Sequence, residues 1–416
     1  MVSVELAYSK PTSRMRYGAK ILFEVCLGLK CTWVNGTKDE SVVISYGDKS
    51  VTAPLHSISF SQDKQALSSG VKFPCEVLGV CDLDYDPFAS AVFMAARWEE
   101  VYREAELEKD DHNRFVGVEC SKPVVELLAV DLANMLGIPL DSSRYSYQPT
   151  IDVDIAYAFK GRGFFRTMLA SLKDLVLLKW RRLVLRRNVL SGKEKDPYDT
   201  YSWLEKLHDK HGLKSLAFIW SATILRPYDV GLSSKSIRKL IKSLANWKVR
   251  WHPSYMAFDR LNLDDLIWFD SEKERFPGNT SEIRSHYLRC DSRHWFQLDE
   301  VGVLADYSLG YADVPGFRSG MCRPYPAFDA LRDRELTLML HPVVVMDSTL
   351  KSYMGLTPQQ GVELVRELNK EVRSVGGQMI TLFHNTSVSD FEDWKDWREA
   401  YEEIVDLCSN PESEWR

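Results

Sequence analysis

Ile151-Asp152-Val153-Asp154-Ile155-Ala156-Tyr157-Ala158-Phe159 places two carboxylates two residues apart at the start of an apolar run. In a β-strand, residues two apart point to the same face, so Asp152 and Asp154 are expected side by side. Two like charges held together are costly unless a cation or a shared proton offsets them. The stretch therefore reads as a strand end carrying a candidate metal or acid/base site. The plainer alternative is that one Asp caps the strand and the other is solvated.

Outward from this strand, apolar runs alternate with helix-like ones. Thr167–Leu190, Lys235–Ala245, Leu263–Glu274, Glu282–Leu288, Pro358–Val375 and Phe391–Leu407 read as helices. Leu216–Ile224, Trp247–Trp251, Gly302–Tyr307, Leu338–Met346 and Gln378–Phe383 read as strands. This alternation predicts an α/β fold with a parallel sheet, and its length favours a β/α barrel over an open sheet. Polar residues follow nearly every apolar run: His252, Asp306, Asp347 and His384 all sit at strand ends, where a barrel gathers its active site.

Before residue 145 the pattern differs. Ile21–Val25 and Ser41–Tyr46 read as strands, Pro87–Arg103 and Pro123–Leu136 as helices, and Ser142–Pro149 as a polar linker. A smaller α+β N-terminal domain over 1–145 and a barrel over 146–416 follow.

At 416 residues the chain has room for two domains, and its 45% hydrophobic and 27% charged residues are those of a globular protein. The net charge of −6 gives no global reason to bind nucleic acid. Eight dispersed cysteines lack zinc-knuckle spacing and read as reduced thiols. With no signal peptide and no transmembrane segment, a cytoplasmic protein is expected. Leu175–Arg187, leucine-rich and basic, reads as a barrel helix with a basic outer face, with membrane or anionic-glycan contact as the alternative. No nucleotide-binding glycine motif is present.

The order of these motifs resembles the polysaccharide deacetylase family, whose NodB-like domain is a deformed β/α barrel binding a divalent metal. The first motif of the family looks like Ile151-Asp152-Val153-Asp154, with Val153 separating two carboxylates that are usually adjacent. The resemblance implies that Asp152 is the catalytic base and Asp154 a metal ligand. The second motif pairs two histidines one helical turn apart; here His252-Pro253-Ser254-Tyr255-Met256 keeps the first and replaces the second with Met256, a poor ligand for such an ion. His286 is the substitute candidate. The supporting arginine of the third motif looks like Arg318, expected to pair with Asp152, and Leu382-Phe383-His384 resembles the last motif, with His384 as general acid.

Asp86-Pro87-Phe88-Ala89, Arg97 to Tyr102 and Asp111 to Phe115 are similar to the uncharacterised domain that precedes a divergent branch of these proteins. The function implied is a metal-dependent carbohydrate deacetylase removing an N- or O-acetyl group, with zinc as the expected ion. Its chemistry would use Asp152 to take a proton from water, Arg318 to orient that carboxylate and His384 to protonate the leaving group. Aromatic residues near these positions, including Tyr157, Trp251, Tyr255, Tyr307 and Tyr325, would stack on sugar faces if exposed. The competing readings are a noncatalytic carbohydrate-binding barrel and a glycoside hydrolase using two of Asp152, Asp154, Asp306 and Asp347.

Overall fold

The computed structural model describes residues 3–36, 41–56, 85–220, 234–258 and 263–410. Cys75, Cys81 and the end of the expected strand Leu216–Ile224 lie outside them. The chain divides into two compact units. The first comprises Met1–Tyr147, Tyr287–Met354 and Val365–Ile380, and the second Gln148–His286, Gly355–Leu364 and Thr381–Arg416.

The first unit opens with a four-stranded sheet, β1 (Val4–Ala7), β2 (Cys31–Val34), β3 (Ser41–Tyr46) and β4 (Lys49–Pro54), in the order β2-β1-β3-β4. Gly47, at φ 62°, supplies the backbone freedom for the tight β3/β4 turn. Ile21–Val25, expected as a strand, is instead part of a continuous helical segment: Ser13–Ala19 runs into a wider-wound turn, Lys20–Cys26. Thr12 caps its start by accepting from the Met15 N–H, and Ile21, Leu22 and Phe23 are all fully buried. The cap and the core contact of one helical face override the strand preference of these residues.

The expected Pro87–Arg103 helix is two pieces, Pro87–Ala95 and Trp98–Tyr102, separated at Arg97, whose φ is 51°. Asp86 caps the first piece through the N–H groups of Phe88 and Ala89.

The second unit is built on parallel strands β5 (Ser146–Val153), β6 (Leu216–Trp220), β7 (Lys248–His252) and β8 (Asn279–Ile283). Their register sets Asp152 opposite Phe218, Trp220 opposite His252 and Trp251 opposite Ile283. β6 is buried along its whole length, which explains its unbroken apolar sequence. Glu282–Leu288 is not the expected helix: β8 ends at Ile283 and only His286–Leu288 forms a short 3-10 turn. The Arg284 N–H continues the pairing by donating to the Trp251 carbonyl.

Back in the first unit, β9 (Ala305–Asp306) pairs in parallel with β11 (Arg334–Leu340), and β10 (Tyr325–Asp329) pairs antiparallel with β11. After β12 (Val345–Met346), β13 (Gln378–His384) supplies the last strand end, its residues from Thr381 onward belonging to the second unit. Thr150 donates to the Thr381 carbonyl and the Asn385 N–H donates to the Asp152 carbonyl, so β13 rises in step with β5. The architecture is mixed α/β with a large parallel sheet; among the described residues no closed sheet is found.

Candidate metal centre

Four strand ends converge in the second unit. Asp154 follows β5, His252 ends β7, His286 follows β8 and His384 ends β13. The Asp154 Oδ1 lies 3.2 Å from His252 Nε2, and Oδ2 lies 3.5 Å from both His286 Nε2 and His384 Nε2. Asp154, His252 and His286 each offer a donor atom within 4.8 Å of the others, a grouping that could hold a metal ion.

Two donors about 2.1 Å from one tetrahedral ion lie about 3.4 Å apart, so the Asp154-to-histidine separations suit a shared cation. Asp154 Oδ1 is shielded from water and faces His252 Nε2 at 3.2 Å. A buried carboxylate oxygen facing an imidazole nitrogen in this state is a position that a cation would satisfy. Burial raises the Asp154 carboxyl, but the charge of His286 and hydrogen bonds from His252 and His286 outweigh it and hold the group well below the usual carboxylate range.

His252 is 2% exposed, and its Nδ1 donates to the Arg284 carbonyl at 2.5 Å. That bond fixes the ring and turns Nε2 toward the carboxylates, the usual arrangement of a ligating histidine held from behind. Burial pulls the imidazole down, while the charge of Asp152 and the bond to Asp154 raise it further than burial lowers it. His286 stands edge-on to His252, with ring centroids 5.1 Å apart, and packs near Trp220.

Asp152 is held differently from Asp154. Its Oδ1 accepts from Arg284 Nη1 at 2.7 Å, and its Oδ2 lies 3.8 Å from His252 Nε2. Arg284 is fully buried, lies over the Phe218 ring at 4.4 Å, and also donates to Thr150 Oγ1 at 2.8 Å. The two aspartates thus share a face, and each has its own partners.

The expected pairing of Arg318 with Asp152 is corrected. Arg318 donates to Glu100 Oε1 through Nε and Nη2, at 3.1 and 2.8 Å, and to the Gly310 carbonyl. Arg97 joins the same carboxylate at 2.9 Å and bonds the Tyr311 hydroxyl and the Arg318 carbonyl. Arg318 is therefore one member of a buried ion cluster in the first unit. The arginine on Asp152 is Arg284, which the sequence reading passed over because it placed residues 282–288 on a helix. Its spacing from His286 is the signal that could have found it: two residues apart on an extended segment share a side.

Met256 sits half-buried in the turn Tyr255–Phe258, and the residue grouped with Asp154 and His252 is His286. Asp306 and Asp347, in the first unit, accept from their neighbours Ser308 and Ser348. Among the aromatics proposed to meet a sugar, Trp251, Tyr307 and Tyr325 are core residues; Tyr157 and Tyr255 are only half-buried. Asn385, beside His384, was missed as an organiser. Its Nδ2 donates to the Ile155 and Tyr198 carbonyls, and its own carbonyl accepts from Thr200. Asp196 adds bonds from the N–H groups of Ala158, Phe159 and Lys160, which anchors the loop leaving Asp154.

Residues 4–136 match a protein family described as a family of unknown function, DUF7033. No curated protein matches the chain. Among solved structures, the chain is similar to a provisionally assigned polysaccharide deacetylase from Mycobacterium smegmatis, at 17% identity and a TM-score of 0.42, over 65% of this chain and 86% of that one. A second such assignment, from Pseudomonas aeruginosa PAO1, is 11% identical with a TM-score of 0.39, over 66% of this chain and 90% of that one. A third, from Bordetella bronchiseptica and linked to O-antigen biosynthesis, is 14% identical with a TM-score of 0.31, over 64% and 90%. These likenesses are partial, and the functional reading rests on the side chains.

Proposed function

We propose that the second unit is a metal-dependent carbohydrate deacetylase, hydrolysing an N- or O-acetyl group on a glycan or glycan precursor. The observation that carries the reading is the convergence of Asp154, His252 and His286 beside an aspartate, Asp152, that has its own buried arginine. The motif resemblance supplies the substrate class, and it sets the centre in a deformed β/α barrel over 146–416 with a separate N-terminal domain over 1–145.

Asp154, His252 and His286 would hold the ion, and their mixed oxygen and nitrogen donors suit zinc. A divalent ion bound there supplies Lewis acidity. Asp152 accepts the proton of the attacking water, and Arg284 orients that carboxylate. His384, whose Nε2 lies 3.5 Å from Asp154 Oδ2, delivers a proton to the leaving group. Six free cysteines among the described residues are compatible with a reducing, cytoplasmic setting.

The test is metal analysis of the purified chain followed by acetate release from acetylated sugars, with and without chelator. Bound zinc with chelator-sensitive release supports the reading. Metal without release would point instead to a noncatalytic carbohydrate-binding domain, and neither metal nor release would overturn the proposal.

A further inference from the structure

The segment between the candidate site and Asp196 is built inside out. Phe164–Val176 and Trp180–Leu190 form a helical hairpin turned at Leu178, whose φ is 54°. On the first helix, Phe164, Phe165, Met168, Leu169, Leu172 and Val176 fall on one side at helical spacing. That side faces water: Phe164, Phe165 and Val176 are 77%, 75% and 73% exposed.

The polar side is the one turned inward. Arg186 from the second helix donates to the Thr167 carbonyl, the Ser171 hydroxyl and the Asp174 carboxylate, and both Asp174 and Arg186 are buried. Arg182 joins Asp174 at 3.5 Å. The turn adds exposed Leu177, Leu178 and Trp180. Packing in water ordinarily produces the reverse arrangement, and an exposed apolar surface of this extent marks a docking site.

We propose that this hairpin docks on an anionic lipid surface, lying in the interface without crossing it. Charge selects the occupant. Residues 160–193 contain ten lysines and arginines against one acid, Asp174, in a chain of net formal charge −6. A leucine- and phenylalanine-rich face bordered by basic residues, with a tryptophan at its tip, matches the boundary between acyl chains and acidic headgroups. A second copy of the chain would bring a like-charged hairpin against this one. Among the described residues no helix is long and apolar enough to cross a membrane.

The hairpin is firmly rooted. Phe159 packs on Val189, Leu185 and Phe391 at its base, and the Asp196 and Asn385 bonds tie both of its ends to the segment next to His384. Docking would therefore hold the candidate centre at the lipid surface. The inference does not depend on the deacetylase reading, because its readout is binding alone.

The test is flotation of the full chain with vesicles of phosphatidylcholine, or of phosphatidylcholine and phosphatidylglycerol in equal parts. The protein is expected to float with the anionic vesicles and to be released as salt rises. A combined Phe164→Ser, Phe165→Ser, Leu169→Ser variant should lose about tenfold or more of the bound fraction while its thermal unfolding is unchanged, since the three side chains have little to lose in water. Arg181→Glu with Arg187→Glu should weaken binding to anionic vesicles to a comparable degree. Failure of the wild-type chain to float with either vesicle, or equal flotation of wild type and variants, would overturn the proposal. So would self-association without lipid that the serine variant abolishes, which would make the face a protein interface.

Discussion

Arg284 serves Asp152 and His252 with different atoms: its guanidinium donates to the Asp152 carboxylate at 2.7 Å, and its carbonyl accepts from His252 Nδ1 at 2.5 Å. One residue thereby positions both the proposed proton acceptor and a proposed metal ligand. Substitution at Arg284 should reveal whether these duties are separable.

Arg284→Lys preserves the positive charge and the main-chain carbonyl but removes the guanidinium's ability to bond Thr150 and Asp152 together. Acetate release is expected to fall about 10²-fold with zinc content unchanged, as for loss of precise orientation. Parallel metal analysis and turnover measurement check this. Unchanged turnover would remove Arg284 from the reaction.

His286→Ala should weaken zinc binding by well over about 100-fold, as loss of a ligand exceeds the 10–100-fold typical of an outer partner. Met256→Ala should leave zinc affinity within about twofold, because its thioether is a poor ligand for this ion. Competition with a chromogenic chelator measures both. The opposite ranking would return the missing ligand to the Met256 turn.

Glu100→Gln should destabilise the fold by about 3–5 kcal/mol, because Arg97 and Arg318 would be left buried with one carboxylate charge removed. Denaturant unfolding provides the value. Arg318→Met should likewise act on stability, leaving the zinc content of the folded protein unaltered. Loss of acetate release by Arg318→Met without loss of stability would restore Arg318 to a catalytic role.

His208 predicts an acid sensitivity unrelated to metal. Burial, reinforced by the charge of His211, pulls its imidazole down to about 4, and its two nitrogens meet Ser215 Oγ at 2.7 Å and the Tyr401 hydroxyl at 2.8 Å. The unfolded chain takes up this proton near pH 6.5 and the folded one near pH 4, so stability is full above about 6.5 and is lost as pH falls toward 4. The loss across that window is about 3 kcal/mol. Urea unfolding at several pH values should show this slope, and His208→Gln should flatten it; a parallel slope in the variant would exclude His208 as its source.

The strand ends of the second unit were legible because strand periodicity is local. Ile151 to Asp154 announces two same-face carboxylates, and His252 and His384 each close an apolar run. Arg284 was not legible in the same way. Residues 282–288 have a composition compatible with a helix, and only pairing of Trp251 with Ile283 makes the segment extended. The role of Arg318 failed for a related reason: its glycine-flanked loop resembles a motif, yet its partner Glu100 lies 218 residues away in sequence. Ile21–Val25 shows the same limit, since Ile21, Leu22 and Phe23 joined a helix once their side chains found the core. The exposure of Phe164 and Phe165 could not be read from sequence either, because an amphipathic pattern does not say which side faces in.

The extended segment after β8 has a consequence for how such a site can decay. Ile283 to His286 carries the partner of Asp152, the carbonyl behind His252 and a donor beside Asp154, all within four residues. A one-residue insertion or deletion there would reverse the facing of the following side chains. The centre would then lose the support of the proposed proton acceptor and the proposed cation seat in a single mutational event. Descendants that retain one capacity without the other should therefore carry their lesions at Asp152 or His384, leaving this short segment intact.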